Sequence, residues 1–84
     1  MRLAKELTEE QVNNFSVSEL ERFIISYGDG QGDTYIDTLD ELCNEREEGV
    51  NPMDIIDEFY REYGGNMVNI AWIEDNKLMN VRFI

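Results

Sequence analysis

The last eighteen residues, MVNIAWIEDNKLMNVRFI, change the period of the chain and so limit what it can fold into. Val68, Ile70 and Trp72 alternate with Asn69 and Ala71, and Met79, Val81 and Phe83 alternate with Asn80 and Arg82. A period of two is strand spacing, because successive side chains of an extended chain point to opposite faces. A two-residue turn at Asp75-Asn76 sets Trp72 opposite Met79, Ile70 opposite Val81 and Val68 opposite Phe83, so one register unites six apolar side chains. The segment reads as a β-hairpin over residues 67–73 and 78–84. A lone hairpin is marginal in water, so the remainder of the chain has to cover its apolar face.

The remainder carries helical signals. Thr8 with Gln11 and Ser16 with Glu19 both have capping-box spacing, which predicts helices over residues 9–15 and 17–27. In the first, Leu7 and Val12 form the expected apolar staple; in the second, Val17, Leu20, Phe23, Ile24 and Tyr27 share one face until Gly28. Ile36, Leu39, Leu42 and Cys43 predict a third helix over 35–48, stopped by Gly49. Asn51-Pro52 opens a fourth over 52–63, with Asp54 in its first turn, a buried stripe of Met53, Ile56, Phe59, Tyr60 and Tyr63, and Gly64-Gly65 at its end. The fold class expected is α+β, with three to four short helices packed on a C-terminal antiparallel hairpin in a single small domain spanning residues 1–84. Both hairpin strands would offer open edges, to a second copy or a partner strand, unless an N-terminal strand near residues 2–4 pairs with one.

Charge decides which partners are plausible. Nineteen Asp and Glu against seven Lys and Arg leave a net charge of -12. Self-repulsion of this size works against compactness and makes added salt stabilising. It also repels DNA, RNA and anionic membranes, whose binders draw affinity from cations. Direct nucleic-acid or membrane binding is therefore not expected, and basic protein surfaces are. The opening MRLAKELTEEQ lacks the apolar run of a signal peptide, and the chain is expected in the cytoplasm. The single cysteine, Cys43, falls on an apolar helix face and reads as a small buried hydrophobe.

The stretch YGDGQGDTYIDTLDE, residues 27–41, raises the question of a metal. Counted from Asp29, it sets Asp29, Gln31, Asp33, the Tyr35 carbonyl and Asp37 at the ligand positions of a calcium loop, with Ile36 at the apolar position, and so resembles an EF-hand over residues 29–40. Thr34, however, stands where that loop needs glycine for a left-handed backbone, and Asp40 replaces the bidentate Glu. These departures favour a turn that feeds an acidic helix. Asp29, Asp33, Asp37 and Asp40 are left as weak metal candidates, with no metal or other cofactor expected.

Catalytic signatures are missing. The chain has no His, which removes the commonest general base, the triads built on it and most zinc sites. Gly28, Gly30 and Gly32 lack the Lys and Ser or Thr of a phosphate loop, and paired carboxylates have little cleft to work in on a chain this short. No enzyme is expected.

What stands out is acidity on the two long predicted helices. Asp37, Asp40, Glu41, Glu45, Glu47 and Glu48 on one, with Asp54, Asp57, Glu58 and Glu62 on the next, would form one negative surface if the helices pack as a pair, with only Arg46 and Arg61 nearby. Spaced carboxylates on rigid elements imitate duplex phosphates and exploit the same counterion release from a basic partner. In size, charge and lack of catalytic residues the chain resembles the small acidic proteins of phages and mobile elements: DNA-mimic antirestriction and anti-CRISPR proteins, and uracil-DNA glycosylase inhibitors. The resemblance is one of overall character and assigns no role to any single position. It implies an inhibitor that docks its acidic helical face on a nucleic-acid-binding protein. The alternatives are an immunity protein or antitoxin against a basic nuclease, and an interaction module working through the hairpin edge. EF-hand-like calcium binding ranks below these.

Overall fold

The computed structural model describes residues 4–84. In chain order the elements are β1 (Ala4–Leu7), α1 (Glu9–Asn13), α2 (Val17–Leu20), β2 (Phe23–Gly28), β3 (Thr34–Thr38), α3 (Leu39–Asn44), α4 (Pro52–Tyr63), β4 (Val68–Glu74) and β5 (Lys77–Phe83). The fold is α+β, but the sheet is larger than a hairpin: five strands in the order β1-β5-β4-β2-β3, mixed because β1 runs parallel to β5. No helix among the described residues is long and apolar enough to cross a membrane.

The C-terminal hairpin forms in the register that its alternation requires, with Trp72 opposite Met79 and Ala71 opposite Asn80. Asp75 (φ 52°) and Asn76 (φ 62°) make the tight turn; both have left-handed backbone, which Asp and Asn tolerate better than most residues. The expected open edges are absent from this hairpin. β1 covers β5, and β2 covers β4 along the register Phe23 to Trp72 and Ile25 to Ile70. The strand expected at residues 2–4 is realised from Ala4 onward, and Arg2 lies outside the described residues.

Two expected helices are corrected. The stretch 17–27 is helical only over Val17–Leu20, and Phe23–Gly28 is the strand between β4 and β3. The helical stripe left Ile25 off the buried face, yet Ile25 is 0% exposed while Val17 is 62% exposed. Phe23, Ile25 and Tyr27 face the core at a period of two, and hydrogen bonding to strands on both sides outweighs a local pattern that fits either element. The stretch 35–48 divides likewise: Thr34–Thr38 pairs with β2, and α3 begins at Leu39, where Thr38 Oγ1 accepts the Glu41 backbone N–H at 3.1 Å. Helix α3 ends at Asn44, so Glu45 caps it while Glu47 and Glu48 lie in the connection to α4.

The other helices agree with their signals apart from boundaries. Both capping boxes close, with Thr8 and Gln11 at 2.8 and 3.1 Å and Ser16 and Glu19 at 3.0 and 3.3 Å. Helix α1 stops at Asn13 instead of residue 15. Helix α4 spans Pro52–Tyr63 as expected, but Asn51 supplies no side-chain cap. Asn13 Oδ1 accepts the Met53 N–H instead, at 3.0 Å, so the end of α1 caps the start of α4.

Among the described residues the buried hydrophobic side chains form one cluster, in which Val12, Phe23, Ile25, Leu39, Ile55 and Ile56 are the most enclosed. The strands contribute their Leu7, Phe23, Ile25, Val68 and Trp72 side to it, with Ile70, Met79, Val81 and Phe83 packed at its margin. Helices therefore cover one face of the sheet. On the opposite face stand Ile24, Ser26, Ile36, Asn69, Ala71, Ile73 and Leu78, which line a shallow depression of about 370 Å³.

Candidate functional site: a carboxylate-rich helical layer

Helices α3 and α4 pack against each other and, with the connection between them, carry nine of the ten expected acidic residues. In α3, Leu39 and Leu42 turn into the core, leaving Asp40 half-buried and Glu41 exposed. In α4, Met53, Ile55, Ile56 and Phe59 turn inward, so Asp54, Asp57 and Glu62 are exposed and Glu58 half-buried. Glu45, Glu47 and Glu48 are exposed in the connection between these helices. This placement follows from the amphipathic pattern: the apolar stripe is buried, and the acidic remainder has only solvent to face.

From Asp40 to Glu62 there are nine carboxylates and two arginines. Among the described residues, the ion pair is Arg46 to Glu58, at 3.2 Å, which ties the connection to α4. Both partners are substantially solvated, so the pair is worth no more than about 1 kcal/mol. It neutralises one carboxylate; Asp40 accepts from Asn44 Nδ2 at 3.3 Å and Glu41 from the Thr38 hydroxyl at 3.2 Å, and none of the other eight has a cation partner among the described residues.

Asp37 does not belong to this surface. It lies in β3, where its carboxylate accepts the Tyr27 hydroxyl at 2.7 Å. Burial, and then this bond to a carboxylate, push the Tyr27 phenol well above its ordinary pKa. Tyr27 stacks on Tyr35 at 5.5 Å between centroids and meets Phe59 edge-on and Tyr63 tilted, each at 4.9 Å. This aromatic group joins β2, β3 and α4 next to the acidic layer, and burial also raises the Tyr63 phenol. The group escapes sequence reasoning because the helical spacing of residues 17–27 and 35–48 places Tyr27 and Tyr35 on separate helices. The available signal was an alternation of Phe23, Ile25 and Tyr27, followed eight residues later by Tyr35 and Asp37.

The loop after β2 is a turn, though between strands and not, as expected, leading into a helix. Asp29 Oδ1 accepts the backbone N–H of Gln31 at 2.7 Å and of Asp33 at 3.3 Å, while Gly30 and Gly32 adopt positive φ. Those backbone bonds, led by the one from Gln31, hold the Asp29 carboxyl below its ordinary pKa. An EF-hand needs a helix on each side of its loop, and here both flanks are strands, so that resemblance fails at the level of the fold. Of the candidate ligands, Asp29 closes the turn and Asp37 binds Tyr27, while Asp40 lies beyond β3 in the first turn of α3. Among the described residues no group of three or more His, Cys, Asp or Glu side chains is placed to hold a metal ion. Cys43 is half-buried on α3, and burial followed by the charge of Asp40 raises its thiol pKa. Both effects disfavour the thiolate, the reactive form of cysteine.

Comparison with protein-family models, with curated proteins and with solved structures gives no match.

Proposed function

We propose that this chain is a protein-binding inhibitor that docks its carboxylate-rich helical layer on a basic protein surface of the kind that holds nucleic acid. The observation that carries this reading is the one-sided distribution of charge. Nine carboxylates on α3, α4 and their connection face two arginines, on the side of the molecule away from the open sheet face. Maintaining that density costs folding stability through repulsion, and a basic partner recovers it on binding. Asp40 and Glu41 on α3 and Asp54, Asp57, Glu58 and Glu62 on α4 have fixed backbone positions, which allows spaced contacts like those of duplex phosphates. Glu45, Glu47 and Glu48 extend the same surface from the connection.

The test is capture of partners from nuclease-treated bacterial lysate, followed by washes of rising salt and competition with duplex DNA. A nucleic-acid-handling protein that elutes as salt rises, is displaced by DNA and is lost when Asp54, Asp57, Glu58 and Glu62 are replaced by Lys is the expected result. A partner indifferent to salt, DNA and that variant would sink the reading.

A further inference from the structure

The sheet face opposite the helices carries an apolar strip that, among the described residues, no element covers. Ile24, Ala71 and Ile73 are half-buried there, while Ile36 is 69% and Leu78 70% exposed. Ser26, Asn69, Thr38 and Asn80 frame this strip. The charged side chains that alternation places on it are Glu6 and Arg82, and these are register partners on β1 and β5, so they offset each other. A chain of net charge -12 thus has one face that is close to neutral.

We infer that this face is a homodimer interface, on which a second copy packs sheet to sheet about a two-fold axis. Charge distribution selects the occupant. A basic partner is drawn to the helical layer, whereas a neutral apolar face matches a surface that is also neutral and apolar, and a second copy presents one. Repulsion between copies does not forbid the arrangement. Stacked sheets lie about 10 Å apart and each helical layer adds about 10 Å beyond its own sheet, so the acidic surfaces end on opposite sides of the dimer. They are separated by several times the Debye length of about 8 Å at physiological salt. Any pairing that joins the helical layers instead brings the carboxylates together.

Area sets the expected strength. Five strands spaced about 4.8 Å apart and about 20 Å long make a face of roughly 500 Å², so two copies bury about 1,000 Å², the lower bound for a specific interface. The dimer is therefore dynamic, with dissociation in the micromolar range. This inference is independent of the proposed acidic docking, and salt separates the two. Raising salt weakens an acidic surface on a basic one and slightly strengthens a dimer of like-charged chains.

Sedimentation equilibrium over a range of concentrations, at low and high salt, tests it on the full chain. The expected result is reversible dimerisation, stronger at high salt, and weakened at least tenfold in Ile36→Ser with Leu78→Ser. Those residues are already solvated in the monomer, so the variant keeps its fold, checked by an unchanged circular dichroism spectrum and melting temperature. A monomer at concentrations of several hundred micromolar in high salt overturns the inference, as does a dimer that the double substitution leaves intact.

Discussion

Ile24 and Ile25 are neighbours in β2, and they belong to opposite kinds of surface. Ile25 is fully buried on the helical face with Phe23, whereas Ile24 borders the open depression with Ile36 and Leu78. The helical side combines a closed apolar core with a highly charged exterior; the other side has apolar side chains in water and almost no net charge. Burial follows the alternation of the strand, so two adjacent isoleucines of equal hydropathy end on opposite faces. The asymmetry teaches that the helical layer holds this fold together, while the open face adds little to monomer stability and is free to serve association.

The largest expected effect probes that asymmetry directly. Ile25→Ala and Phe23→Ala remove fully buried side chains from the core and should each cost about 3–5 kcal/mol in urea or thermal unfolding. Ile36→Ala and Leu78→Ala, on the other face, should change monomer stability by no more than about 0.5 kcal/mol, measured in dilute solution. Comparable losses at Ile36 or Leu78 would break the comparison by showing that the open face is part of the core.

The helical layer depends on one long-range cap. Asn13→Ala removes the acceptor of the Met53 N–H and should destabilise the protein by about 1 kcal/mol, whereas Asn51→Ala, at a cap position without a side-chain bond, should cost less. Tyr27→Phe takes away the hydroxyl that Asp37 accepts and should cost about 1 kcal/mol by the same unfolding measurement. Because the Tyr27 phenol is raised on folding, the stability linked to its protonation is intact below the ordinary tyrosine range. It is lost as pH rises through the folded value, which a spectrophotometric titration of the native protein follows.

The smallest effects concern charge. Added salt should raise the melting temperature modestly, and replacing Glu45, Glu47 and Glu48 with Gln should reproduce part of that gain at low salt and reduce its salt dependence. Asp29 and Glu19 act in the opposite sense, because backbone hydrogen bonds from Gln31 and Ser16 respectively hold their carboxyls below the ordinary range. Their folded values lie below their unfolded ones, so the stability they add is present above about pH 4 and is lost as acid titrates the folded carboxyls. Asp29→Asn should lower stability near neutrality and flatten the acid limb of the stability curve, leaving its slope near neutrality unchanged.

Local signals were legible where one element satisfied them by itself. The two capping boxes, the Pro52 helix start and the Asp75-Asn76 turn each depend on residues within a few positions, and each appears in the structure. Of the acidic surface, α4 was readable from its stripe. The extent of α3 was not, because Thr34–Thr38 carries β-branched residues at a spacing that also continues the helical face of Leu39 and Leu42. The open apolar face left one trace, apolar Ile73 and Leu78 where an outward face should be polar.

The C-terminal register, the position of α4, the net charge and the absence of histidine are legible without the fold, since these rest on composition or on contacts a few residues long. Pairing between distant segments makes Phe23–Gly28 a central strand, closes the hairpin edge with parallel β1, caps α4 with Asn13 and leaves one sheet face uncovered by the described residues. Those outcomes join residues tens of positions apart. A short apolar run satisfies helix and strand equally well until a neighbouring strand takes up its backbone hydrogen bonds.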